Sequence, residues 1–172
     1  MPSAGGGPEF ARWRRAAPAD LPAIVSIADD IHAGLPESAE VLAEKLALFA
    51  EGCFVLARAP EVLGYCLSHP WRLNEAPALD GLIGKLPERA DCLLIHDVAI
   101  LASERGRGAA GRLIARLEKI AQRIGVAHLA LESVYGTFVY WARFDFEIVP
   151  AFPAAKLDSY GPGARYMVRE LD

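Results

Sequence analysis

Arg105-Gly106-Arg107-Gly108-Ala109-Ala110-Gly111 joins an apolar stretch, 92–101, to the clearest helical pattern in the chain, 108–124. Residues 106–111 satisfy G-x-G-x-x-G, and Glu132 follows about 20 residues later, as a dinucleotide-binding unit requires. Two features oppose that reading. In such a unit the strand runs almost directly into the first glycine, whereas Leu101-Ala102-Ser103-Glu104-Arg105 intervene here. Only 172 − 111 = 61 residues follow Gly111, too few for the rest of a dinucleotide domain. A nucleotide-triphosphate loop fails as well, because Arg112-Leu113 stand where Lys-Ser/Thr must be. What the residues do supply is a pyrophosphate cradle. Absent or small side chains at Gly106, Gly108, Ala109, Ala110 and Gly111 let backbone amides approach phosphate oxygens. The start of a helix adds its dipole, and Arg105 and Arg107 add charge.

Outward from the loop, Ala110, Leu113, Ile114, Leu117, Ile120, Ala121 and Ile124 mark one face of the following helix, which Gly125 ends. Upstream, 10–15 reads as a short strand, and Pro18-Ala19-Asp20 opens a helix with Leu21, Ile24, Val25, Ile27, Ala28 and Ile31 on one face. A second helix spans 37–50, and 53–58 and 62–68 form a hairpin around Pro60. Residues 69–90 carry Pro70, Pro77, Gly81, Gly84 and Pro87 and read as irregular, with at most a helical turn at 79–83. A loop that long in a compact domain is usually functional or mobile. Strands follow at 126–134, 146–149 and 165–171, and a short helix at 137–144. The order β-α-α-β-β-β-α-β-α-β-β predicts an α/β (α+β mixed) fold with helices on both faces of a mixed sheet.

The chain has the length of one domain, with 1–9 as a flexible leader and 10–172 as a single folded unit. Its formal charge of −4 gives no reason to expect nucleic acid. No stretch approaches the ~20 apolar residues of a membrane span, and no signal peptide opens the chain, so a cytoplasmic location is expected. Cys53, Cys66 and Cys92 sit in apolar runs without ligand spacing and read as reduced core thiols. His32, His69 and His128 show no metal spacing, and Ser103 and Ser133 lie in no nucleophile elbow. No metal is expected.

Arg105-x-x-Gly108-x-Ala110 resembles the Gln/Arg-x-x-Gly-x-Gly/Ala motif of the GNAT (GCN5-related) N-acetyltransferases, which likewise follows the fourth strand and begins the third helix. The resemblance covers about residues 12–150. It implies a twisted, mostly antiparallel sheet of about seven strands, flanked by about four helices and splayed between strands four and five. Acetyl-CoA or coenzyme A is then the co-substrate. Residues 105–111 would hold its pyrophosphate, and the backbone of Val98, Ala99 and Ile100 would hold its pantetheine arm and face the thioester carbonyl. Tyr140-Trp141-Ala142-Arg143-Phe144-Asp145-Phe146 resembles the family's Phe-Tyr-x-x-x-Gly-Phe segment with two departures. Trp141 occupies the slot of the tyrosine that commonly protonates the leaving thiolate, and Asp145 replaces the glycine.

Transfer to an alkyl ammonium needs a proton acceptor, because only roughly one part in a thousand is neutral at pH 7. His96 is the candidate base. It matches a histidine that serotonin-type (aralkylamine) N-acetyltransferases carry before the same strand segment, although their second histidine is Leu94 here. Simple alternation puts His96 on one face with Leu94 and Val98, and Asp97 on the other in a structural role. A buried, hydrogen-bonded core histidine is the alternative. Tyr135, in the turn after the fifth strand, is preferred as acid over Tyr140. The acceptor pocket of this superfamily would draw here on His32, Glu37, Ser68, His69, Trp71 and Tyr160. Among these, Ser68, His69 and Trp71 suggest an aromatic wall, with Glu37 attracting an amine; the alternative is that Trp71 only anchors the loop. A small primary amine is the expected acceptor, ahead of a protein N-terminus or lysine. A non-catalytic CoA-binding module is the rival class, and a homodimer is left open.

Overall fold

The computed structural model describes residues 10–172, so the expectation for 1–9 lies outside the described residues. The strands are β1 (Arg12–Arg15), β2 (Phe54–Arg58), β3 (Glu61–Trp71), β4 (Cys92–Ile100), β5 (His128–Ser133), β6 (Glu147–Ile148) and β7 (Arg165–Glu170). The α-helices are α1 (Leu21–Ile31), α2 (Ala39–Leu48), α3 (Ala109–Ile124) and α4 (Phe138–Ala142). One seven-stranded sheet results, in the order β1-β2-β3-β4-β5-β7-β6. Every pairing is antiparallel except β4 with β5.

That parallel pair is short. Only Leu93–Ile95 pair with Leu129–Leu131, while β4 continues to Ile100 and β5 to Ser133. The strands part beyond Ile95, which is the expected splay.

The sheet separates its cores. On one face α3 packs Leu113, Ile114 and Leu117 onto Leu93, Ile95, Leu129 and Leu131. On the other, α1 and α2 pack Ile24, Ile27, Leu42 and Leu46 onto Val55, Tyr65, Leu67 and Ala99. A third cluster continues that second face, with Leu94, Ala130 and Tyr166 under a 3-10 helix, Ala154–Tyr160, that the sequence did not announce.

Two local features depart from the expected course. β3 does not stop at Ser68 but runs through His69 and Pro70 to Trp71, paired with Leu94, Leu93 and Cys92. Pro70 is tolerated because β2 pairs with β3 only as far as Cys66. Beyond that point β3 is an edge on that side, where a missing N–H breaks no ladder. The second feature is a β-bulge: Leu67 pairs with Asp97 and Ser68 with Ile95, so His96 is the extra residue of β4. The segment from Arg72 to Asp91 contains no helix. It is pinned instead by carboxylates: Glu44 accepts from the amides of Ile83 and Gly84 at 2.9 and 2.8 Å, and Glu37 from that of Asp80 at 3.1 Å.

Candidate active site

The five residues before the glycine loop have a structural role. Ala102–Glu104 form a 3-10 turn whose buried Glu104 pairs with Arg58 at 3.1 Å. The chain then enters α3 through Gly108, the N-cap, at φ 72°. A side chain there would be strained in the left-handed region, and its Cβ would stand 3.3 Å from a guanidinium nitrogen of Arg112. Arg112 folds back to donate to the Arg107 carbonyl at 2.8 Å, and Arg105 Nε donates to the Ile100 carbonyl at 3.0 Å. The buried Trp13 indole donates to the Ala109 carbonyl at 2.8 Å and fixes the helix start against β1. Three arginines thus surround a helix N-terminus with small residues in its first turn, a fit for a pyrophosphate. Arg112 was not singled out from sequence; its i+4 spacing from Gly108 was the available signal.

The bulge overturns the alternation expected in β4. His96 and Asp97 both face the α1–α2 side, and Val98 packs on the α3 core instead. His96 Nε2 lies 3.1 Å from both carboxylate oxygens of Glu37, with the two side chains 1% and 6% exposed. Glu37 therefore holds the proton on Nε2. The other nitrogen, Nδ1, is buried and has no partner among the described residues. Asp97 accepts the Tyr65 hydroxyl and lies 3.0 Å from His32 Nε2 at the end of α1. Burial opposes charge on His32, but the Asp97 carboxylate outweighs it and raises the His32 pKa.

The acceptor-side residues divide. His69 is fully buried, 5.9 Å from His96 between ring centres and edge-on to Trp71 at 5.2 Å. Its Nδ1 lies 3.1 Å from the Pro70 carbonyl, while His69 Nε2 and Trp71 Nε1 lack partners among the described residues. Burial, then the neighbouring His96, push the His69 pKa down to about 3, so this ring is neutral. Ser68 pairs with Ile95 on the opposite face and donates to the Gly52 carbonyl at 2.6 Å, which takes its hydroxyl out of this group. Tyr160 roofs the face and donates to the Pro77 carbonyl at 2.6 Å.

Glu132 was read from sequence only as an argument about dinucleotide folds. It lies on β5 opposite Tyr166 of β7, on the face that carries Ala130 and Leu94. Part of the residue is exposed, yet both carboxylate oxygens are shielded and without partners among the described residues. Burial, reinforced by Glu37, pushes its pKa up to about 8. A single acidic residue within the apolar run 128–133 was the signal.

Trp141 is a core residue, packed against Phe146 at 5.7 Å, and supplies no acid. Tyr140, 40% exposed, packs on Trp141 and Phe144. Tyr135 is 58% exposed at φ 54° and stacks parallel to His32 at 6.2 Å. Burial and then Asp97 raise its pKa, so the phenol keeps its proton. An open cleft of about 600 Å³ beside α1, with Asp29, Asp30 and Leu101 in its walls, holds none of these side chains. Among the described residues no three His, Cys, Asp or Glu are grouped to hold a metal, and no helix is long and apolar enough to cross a membrane.

Comparison with known proteins agrees with this architecture. The chain is 27% identical over 144 residues to a tRNA-acetylating toxin of Mycobacterium tuberculosis (strain ATCC 25618 / H37Rv), covering 77% of this chain and 87% of the relative. Its fold is similar to Ard1 from Thermoplasma volcanium, with TM-score 0.72, 15% identity and coverage of 95% and 99% of the two chains. It also resembles N-acetylglutamate synthase from Neisseria gonorrhoeae complexed with coenzyme A and N-acetyl-glutamate (TM-score 0.71, 21% identity), covering 96% of this chain and 36% of that one. The model of the acetyltransferase (GNAT) family matches residues 21–138, which span the splay and the glycine loop. The chain belongs to the GNAT family and is an acetyl-CoA-dependent N-acetyltransferase.

Proposed function

We propose that the enzyme acetylates a small primary amine directly, with His96 as general base and Tyr135 as general acid. The observation that carries this reading is the orientation of His96. Glu37 occupies Nε2, so the free lone pair is on Nδ1, in a buried position at the point where β4 leaves β5. Acetyl-CoA supplies the acetyl group as a thioester, whose C–S bond breaks as the amine nitrogen bonds to the carbonyl carbon. Residues 105–111 and Arg112 bind the pyrophosphate, and the Val98–Ile100 backbone, free of β5, lines the pantetheine path. A backbone amide there stabilises the oxyanion. His96 Nδ1 takes the ammonium proton, and the Tyr135 hydroxyl returns one to the departing thiolate. His69 and Trp71 wall the acceptor.

General base catalysis contributes about 10²–10⁴-fold. His96→Ala is expected to lower kcat by that order and to remove the limb along which the rate rises with pH. An unchanged profile overturns the assignment. Glu37→Gln, which leaves the tautomer unfixed, should lower kcat at constant stabilisation by acetyl-CoA.

A second reading follows from the relative that acetylates tRNA. The acceptor amine would then be carried on an aminoacyl-tRNA. The carboxylates Glu37 and Asp97 on the acceptor face favour a cation over a polyphosphate. Transfer of radiolabelled acetyl to aminoacyl-tRNA, compared with a panel of free amines, separates the two.

A further inference from the structure

Where β4 and β5 part, two side chains stand level across the gap. Pairing ends at Ile95 and Leu131, and the next residues are His96 and Glu132. Both face away from α3: His96 meets Glu37, and Glu132 shares its face with Ala130 and Tyr166. Glu37 satisfies one ring nitrogen of His96, but nothing among the described residues pairs with either carboxylate oxygen of Glu132.

An unpartnered carboxylate out of water costs several kcal/mol unless a cation or a proton neutralises it. No Lys or Arg of the described residues pairs with Glu132, and Glu37 adds negative charge to its surroundings. Tyr166 lies beside it in the sheet, and the Tyr160 hydroxyl of the same cluster is already given to Pro77. Besides His96 Nδ1, His69 Nε2 and Trp71 Nε1 also have no partner among the described residues, in side chains that touch each other edge to face. These unpartnered polar atoms lie on the face of the sheet that carries His96, and Glu132 is the one among them that an incoming ammonium would ionise and pair.

We infer that Glu132 binds a second cationic group on the acceptor, making the substrate class a short aliphatic diamine rather than a monoamine or an amino acid. The inference rests on the acetyl-transfer reading above for the location of the reacting nitrogen at His96 Nδ1. Glu132 stands on the other strand, so it meets a different atom of the same molecule. Paired strands lie about 4.8 Å apart and these two are diverging, so the two nitrogens are separated by roughly 5–8 Å. Three to four methylenes span that. An acceptor carboxylate in place of the second ammonium would be repelled by Glu37 and Asp97 and could not draw Glu132 into its ionised form.

Three compounds of equal chain length test this: 1,4-diaminobutane, 4-amino-1-butanol and 4-aminobutanoate. With wild-type enzyme and acetyl-CoA, kcat/KM should be at least about tenfold higher for the diamine than for the alcohol, and lowest for the acid. In Glu132→Gln the diamine-to-alcohol ratio should collapse to within about threefold, through KM. Equal use of diamine and alcohol by the wild type overturns the inference, whether or not the variant folds. A preference that survives Glu132→Gln, or a loss confined to kcat, overturns it too. Thermal stabilisation by each amine with unacetylated CoA gives a readout independent of turnover. Stabilisation by the diamine that Glu132→Gln abolishes, without CoA release from any compound, upholds the cation site and sinks the acetyl-transfer reading. Neither turnover nor diamine-specific stabilisation removes both.

Discussion

At the residue scale, the shielded Glu132 carboxyl and the buried His69 ring are both held in their neutral forms in the unliganded protein, and they bend stability with pH in opposite directions. Glu132 has its folded pKa raised from 4.5 to about 8. The folded state holds its proton more tightly than the unfolded chain, so its contribution is complete below pH ~4.5 and is lost as pH rises to ~8. His69 is lowered from 6.5 to about 3, chiefly by burial and then by His96. Its contribution is complete above pH ~6.5 and is lost as pH falls toward ~3. Glu132→Gln should therefore flatten the fall in Tm between pH 5 and 8 by several degrees, and His69→Gln should flatten the fall between pH 6 and 4. Differential scanning calorimetry without ligand measures both. A wild-type Tm indifferent to pH across 5–8 would mean that Glu132 is solvated or paired. His96 and the glycine loop were legible as residues, because an ionisable pair interrupts an apolar strand and small residues open a helix. Their partners were not. Glu37 is 59 positions from His96, and nothing local in either segment records that pairing.

At the element scale, the helices, strands and splay followed from periodicity, loop chemistry and family likeness, whereas the bulge in β4 did not. Alternation predicts that His96 and Asp97 point apart, and the extra residue turns both toward α1 and α2. A bulge depends on the register with β3, which a single strand's pattern does not encode. Pro70 misled in the same way, since its effect depends on where β2 ends. The glycine loop was readable because its requirement is local. Gly108 at φ 72° caps α3 where the phosphate groups are expected, and Gly108→Glu should act twice. A left-handed non-glycine residue costs about 1–2 kcal/mol, and the new carboxylate opposes the pyrophosphate. Isothermal titration should show acetyl-CoA affinity reduced by two orders of magnitude or more while Tm falls only a few degrees. Intact binding would remove the loop from the cofactor site.

At the scale of the whole molecule, charge is distributed against its sum. The chain carries a formal −4, yet Arg105, Arg107 and Arg112 gather at the start of α3 while Glu37 and Asp97 gather on the acceptor face, joined by Glu132 once a cation ionises it. An anionic donor and a cationic acceptor would thus each meet the opposite sign. Nicotinamide-dependent enzymes share the G-x-G-x-x-G spelling and bind a pyrophosphate as well, so ligand binding is what separates the two. A ligand at 100 times its Kd stabilises the folded state by about 2.7 kcal/mol, and for a chain of this size that raises Tm by roughly 5–11 °C. Acetyl-CoA and CoA should each give a shift of that order, and NADH at equal concentration none. Because the cradle's arginines are exposed, the CoA shift should shrink when ionic strength rises from 0.05 to 0.5 M, as screening shortens the reach of their charge. A shift that ignores salt would place the binding energy in the pantetheine arm along Val98–Ile100 instead of the loop. A shift from NADH equal to that from CoA would return the loop to the dinucleotide reading that its glycines alone allow.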